Sequence, residues 1–158
     1  MRLIASTVLA SIGCGYRPIA EVAPIQRRVR LRSARSLVAV AGLAQEAIFG
    51  ARAELAEVGA LAASTDLATD LDVVVVRFVE EAAGVVAVSG QPRASAVHVV
   101  VAVRAEPADV AGTPEIEGDF VVATPADAAT WLALRDDAAR SAARLAGRRL
   151  ARALVGLP

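Results

Sequence analysis

One cysteine and a set of arginines are the residues with chemistry to offer in this chain. Cys14 closes a segment that runs Arg2, an apolar stretch from Leu3 to Ile12, then Gly13. A positive start, an apolar core and a small residue before a cleavage point are the parts of a bacterial export signal. Ending in Gly13-Cys14, the segment reads as a lipobox, in which the thiol is acylated and the cysteine becomes the new amino terminus. A single cysteine suits that chemistry, because lipidation consumes the thiol and leaves nothing to pair in an oxidising compartment. Ser11 stands where such boxes usually carry leucine, and the charged leader is one arginine. The competing reading is an ordinary packed cysteine, a residue type often found inside proteins. Gly15 occupies the place where aspartate commonly retains a lipoprotein in the inner membrane. The expected location is therefore the outer membrane, on its periplasmic side.

Arginine supplies every positive side chain, 17 in all against 17 acids. Arg27, Arg28, Arg30, Arg32 and Arg35 form a basic stretch. Within it Arg28, Arg30 and Arg32 alternate with Val29 and Leu31, the period-2 pattern that puts three arginines on one face of a strand. Guanidinium groups hold phosphate and carboxylate through paired donors, so Arg28, Arg30 and Arg32 are the candidate ligand-binding residues. Arg140, Arg144, Arg148 and Arg152 recur every four residues and make a ridge along a helix. Anion contact and a solvated helix face both remain open for that ridge.

Enzymatic chemistry needs convergent polar groups, and the sequence offers few. His98 alternates with valines and has no partner at catalytic or ligand spacing, which favours a structural histidine. Glu80-Glu81 would point to opposite faces of a strand, and Asp136 with Arg140 is an i,i+4 helix pair. Neither a glycine-rich phosphate loop nor a metal-ligand cluster is visible. A non-enzyme without cofactor or metal is the expectation. Formal charge is +0, so no global field draws nucleic acid.

The elements that must position these residues follow from periodicity. At 158 residues the chain fits a single domain. Residues 1–13 read as signal peptide, residues 14–26 as an extended tether marked by Gly15, Pro18 and Pro24, and residues 27–158 as one α+β domain. No apolar run after Cys14 reaches the ~18 residues of a membrane span. A strand opens the domain. Ser36 is a plausible cap for a helix running to about Val58, closed by Gly59, though Leu37 to Val40 can instead extend the strand. Leu43, Ala47, Ala51, Leu55 and Val58 form its buried stripe, with Arg52, Glu54 and Glu57 turned away.

Val73 to Val76 suit a strand covered on both faces. A turn at Ala82-Ala83-Gly84 follows, then β character from Val85 to Val88. A strand from about Ser95 to Ala105 places Val97, Val99, Val101 and Val103 on one face, and Gly118 to Ala123 gives a further strand. Thr124, Pro125 and Asp127 announce the last helix, with Thr124 as cap and Pro125 in the first position. Its apolar stripe is Ala128, Leu132, Ala139, Ala142, Ala146, Leu150, Ala153 and Leu154. This order predicts a two-layer α+β sandwich, a mainly antiparallel sheet with two helices packed on one face.

Gly13-Cys14-Gly15-Tyr16-Arg17-Pro18 resembles the opening of LPS-assembly lipoproteins of the LptE type, which commonly start their mature chain with Cys-Gly-Tyr. The order of elements is similar, as are Ala53-Glu54-Leu55 before Gly59 and the run from Asp137 to Ala146. The resemblance spans nearly the whole mature chain. It implies a lipoprotein seated in the lumen of an outer-membrane β-barrel translocon (LptD), helping that barrel fold and assisting lipopolysaccharide delivery. Its partners would then be the barrel, the membrane through the lipid anchor, and the glycolipid itself, whose phosphates basic residues of the family can contact. An accessory lipoprotein of another envelope transport system, a soluble cytosolic α+β domain and an unidentified enzyme are the alternatives.

Overall fold

A computed structural model describes residues 28–63, 67–88, 91–94, 96–106 and 114–158. The elements run β1 (Val29–Ser36), α1 (Leu43–Glu57), β2 (Thr69–Ala82), β3 (Val85–Val88), β4 (Gln91–Ala94), β5 (Ala96–Glu106), β6 (Ile116–Ala123) and α2 (Ala128–Leu154). Four strands form one mixed sheet in the order β1-β2-β5-β6, while β3 and β4 form a separate ribbon. β1 and β2 are parallel; β2–β5 and β5–β6 are antiparallel. Parallel neighbours need a crossover, and α1 supplies it between β1 and β2. The architecture is the expected α+β sandwich.

Both helices lie on one sheet face. Val29, Leu31, Leu71, Val73, Val75, Val99, Val101 and Val103 pack there against Leu43, Ala47, Ala51 and Leu55 of α1 and Ala139, Ala142, Ala146 and Leu150 of α2. Alternate strand residues and every third or fourth helix residue make up this core, as the two periodicities require. Valine and alanine dominate because small helix residues let the layers approach closely. Gly118 shows how closely: a Cβ there would sit 2.1 Å from the backbone oxygen of Ala142.

Two helix starts differ from the sequence reading. Ser36 does not cap α1. It ends β1, its hydroxyl accepts the Val38 N–H, and the next N–H, that of Leu37, still donates to Val75 in β2. Six residues of connection follow before α1 begins at Leu43, after Gly42. At the other end, Gly59 takes the left-handed conformation (φ 70°) and the N–H groups of Gly59 and Ala60 close on Ala56 and Leu55, the expected glycine stop.

The cap of α2 also moves. Asp127, not Thr124, is the N-cap, and its Oδ1 accepts the Thr130 N–H at 2.7 Å. A carboxylate gains from the helix dipole as well as the hydrogen bond, so it displaces a threonine three residues earlier. That same backbone contact holds the Asp127 carboxyl below its usual range. Along α2 the expected stripe holds in the middle only. Ala128, Leu132 and Ala153 are exposed, whereas Ala138, Ala143 and Ala151 are buried.

Glu54 is a further correction. It does not face water but is 7% exposed, turned toward α2, where Arg152 Nε donates to its Oε1 at 2.8 Å.

Candidate functional site

The sheet face away from the helices gathers most of the charge that the four strands carry. Asp70, Asp72, Val74, Arg77, Val79 and Glu81 of β2 point there, because the core residues Leu71, Val73, Val75 and Phe78 point the other way. Two irregularities aim the arginines. A register shift between Leu31 and Ala34 in β1 turns Arg35 outward, opposite Val74. Another between Val75 and Arg77 in β2 places Arg77 opposite Ala102. In each case an extra residue flips the alternation, which is what a bulge does.

The charges then interlock across neighbouring strands. Arg30 Nη1 donates to Asp70 Oδ1 at 2.9 Å, and Arg32 Nη2 to Asp72 Oδ2 at 3.2 Å, with the Ser33 hydroxyl donating to Asp72 Oδ1. Arg35 and Arg104 both donate to Glu106. Val74 lies between those two arginines in register and is fully buried although no helix covers it. The stems of Arg35 and Arg104 flank it in register, where long cationic side chains can shield apolar surface. Ala102, also buried, lies between Arg77 and Glu117, which bond to each other across it. Each exposed pair is worth only ~0.2–1 kcal/mol, so the lattice matters more for the shape of this face than for stability.

Electrostatic shifts follow the same contacts. Arg32, and after it Ser33, hold the Asp72 carboxyl below its usual value, and Asp72 in turn raises Arg32. Arg35 and then Arg104 lower Glu106. Arg149 lowers Asp119, with a smaller contribution from His98, whose Nε2 lies 3.5 Å from Asp119 Oδ2.

The candidate ligand residues are thus placed unequally. Arg30 and Arg32 share the open face, as their spacing required, but each already gives one donor to a carboxylate, of Asp70 and Asp72 respectively. Arg28 is exposed just ahead of β1, and its carbonyl accepts the Thr69 N–H. A phosphate reaching Arg30 or Arg32 meets a guanidinium already paired with a carboxylate. Cys14 and the tether lie outside the described residues. Nothing in the spacing of Arg35, Arg77 and Arg104 assigns all three to this face, because two of them arrive through bulges.

The helix ridge is divided. Arg144 bonds Glu46 and stacks over Phe49, and Arg152 bonds Glu54, so both tie α2 to α1. Arg149 turns the opposite way, toward the Glu117 carbonyl and Asp119. Arg148, Arg149, Arg152, Glu54, Glu57 and Leu145 line a shallow groove of about 320 Å³. Among the described residues, no three His, Cys, Asp or Glu side chains gather as a metal site would need. No described helix is long and apolar enough to cross a membrane.

No protein-family model matches the chain, and no curated protein matches it. Among solved structures it is similar to a Caulobacter crescentus protein described as a candidate lipoprotein, at 14% identity over 81% of this chain and 90% of that one. The TM-score of that superposition is 0.42, a likeness too loose to carry an argument.

Proposed function

We propose that this protein is an outer-membrane lipoprotein, held by an acylated Cys14, that serves as plug and assembly factor for the lipopolysaccharide-translocating β-barrel. The observation that carries this reading is the Gly13-Cys14-Gly15-Tyr16-Arg17-Pro18 opening behind an apolar leader. The folded body is compatible with the role. A barrel lumen is polar, and the open sheet face presents side chains of both signs already fixed against one another. Such a surface meets a polar wall without stranding an unpaired charge. On this reading the work is binding and positioning, with no bond made or broken by the protein.

Affinity purification from native membranes is the test. The tagged full-length chain should bring down an outer-membrane β-barrel in comparable amount. Charge reversal on the open face, Arg77→Glu, should weaken that recovery by roughly fivefold or more while leaving the circular dichroism spectrum unchanged, since it sets two carboxylates side by side on the face that meets the barrel wall and upsets charge complementarity there. Recovery of the chain without any barrel would remove the proposal.

A further inference from the structure

The two edges of the sheet are treated differently. On β1 the outer edge is occupied over its first three residues: Val29 N–H donates to Ala60, Ala62 N–H donates to Val29, and the Leu31 carbonyl accepts Arg52. On β6 it is open. Ala83 N–H donates to the Ala96 carbonyl, so Ala96 faces β2 and the alternation along β5 turns Val97, Val99, Val101 and Val103 toward β6. Their partners Val122, Phe120, Gly118 and Ile116 spend their backbone groups inward. Glu117, Asp119, Val121 and Ala123 therefore direct N–H and C=O outward. Arg149 occupies the Glu117 carbonyl at 2.8 Å, and among the described residues no other group takes the outward edge of residues 119–123. Past the acidic Glu117 and Asp119 this edge has no charge and no proline, and it carries Phe120 at 44% and Val121 at 56% exposure. Those are the marks of a strand built to be paired.

We infer that a second copy of this chain pairs with it: two β6 edges meet antiparallel about a dyad at Val121, joining the two sheets edge to edge. The sequence is self-complementary in this register. Asp119 falls opposite Ala123 and Phe120 opposite Val122, so no like charges meet. Both ends of the new ladder are also explained. The residue opposite Glu117 would be Pro125, which has no N–H to give, and the Glu117 carbonyl is the one Arg149 already satisfies. The pairing forms about six backbone hydrogen bonds.

The helix layer fits the same dyad. Because Arg149 reaches the outer edge of β6, that side of α2 looks past the sheet. Trp131, about five turns earlier, shares that side in helical phase, and Leu134, 39% exposed, lies beside it. A second α2 brought alongside covers these apolar side chains. The inference stands apart from the lipoprotein reading, since it uses only residues of the folded body.

Cysteine cross-linking of the full chain tests it, with Cys14→Ser removing the native thiol. Opposed Val121 Cα atoms would lie about 5.5 Å apart, within reach of a disulfide. Asp119 and its symmetry mate would lie about 14 Å apart. Val121→Cys should give a covalent dimer under mild oxidation, at least tenfold faster than Asp119→Cys. In sedimentation velocity the unsubstituted chain should run as a dimer, and Val121→Arg, which sets like charges against each other at the dyad, as a folded monomer. A monomeric unsubstituted chain at 100 μM would overturn the inference. So would equal cross-linking at positions 119 and 121, which would mean random collision.

Discussion

Gly147→Ala is expected to destabilise the protein by about 2–3 kcal/mol, against the usual direction of a glycine-to-alanine change inside a helix. In an open helix that change gains up to ~1 kcal/mol, because glycine loses more backbone freedom on folding. Here a Cβ at residue 147 would lie 2.0 Å from the Ala47 oxygen, where no real contact is made. Gly50 faces the same crossing from α1, with its own notional Cβ 2.2 Å from the Arg144 oxygen. The clash is with backbone on both sides, so one helix must shift and loosen the core of Ala47, Ala143 and Ala146 beneath. Thermal unfolding should register a loss of about 5–10 °C for a chain of this size. An unchanged or raised midpoint would show that the helices do not cross at glycine. The double variant with Gly50→Ala should lose less than the sum, since one shift relieves both contacts.

Arg152→Met should cost about 2 kcal/mol, by leaving the Glu54 carboxylate buried without its partner. The Glu54 side chain is 9% exposed and that of Arg152 53%. Water can approach the arginine side, which keeps the loss below that of a fully enclosed pair. The cost is asymmetric. Glu54→Leu frees an arginine that already reaches solvent, and the pair Glu54→Leu with Arg152→Met should return to within about 1 kcal/mol of the parent. Urea unfolding of all four proteins gives the coupling directly. A double variant as unstable as Arg152→Met would mean that the arginine contributes through its stem and not through its charge.

Much of this architecture could be read from spacing. Alternating valines at 97, 99, 101 and 103 identified a strand and its core face, and Leu43, Ala47, Ala51 and Leu55 identified the stripe of α1. These patterns are strong because burial acts on every second or every third-to-fourth residue over a long stretch. Local choices were harder. Ser36 and Thr124 have the chemistry of helix caps, yet the N–H of Leu37 was already claimed by β2 and the carboxylate of Asp127 was the better cap. Tertiary pairing overrode local preference at the first site, and a stronger competitor decided the second.

The open face was half legible. Arg30 and Arg32 shared it as expected, but Arg35 and Arg77 arrive through bulges, which are single extra residues with no compositional mark. The partners Asp70, Asp72 and Glu106 come from strands 40 or more residues away, beyond the reach of periodicity. The strand β4 includes Pro92, a residue that argues against strand assignment from sequence. Glu54 and Gly147 went unrecognised as interface residues for a related reason. Their roles exist only once α1 and α2 lie side by side.

The fate of the Cys14 thiol decides whether this protein is held at a membrane. Intact mass of the mature protein from native membranes measures it directly. A chain beginning at Cys14, its mass raised by a diacylglyceryl group on sulfur and an acyl chain on the amino group, is the predicted result. A chain that retains residues 1–13 with Cys14 unmodified would contradict it.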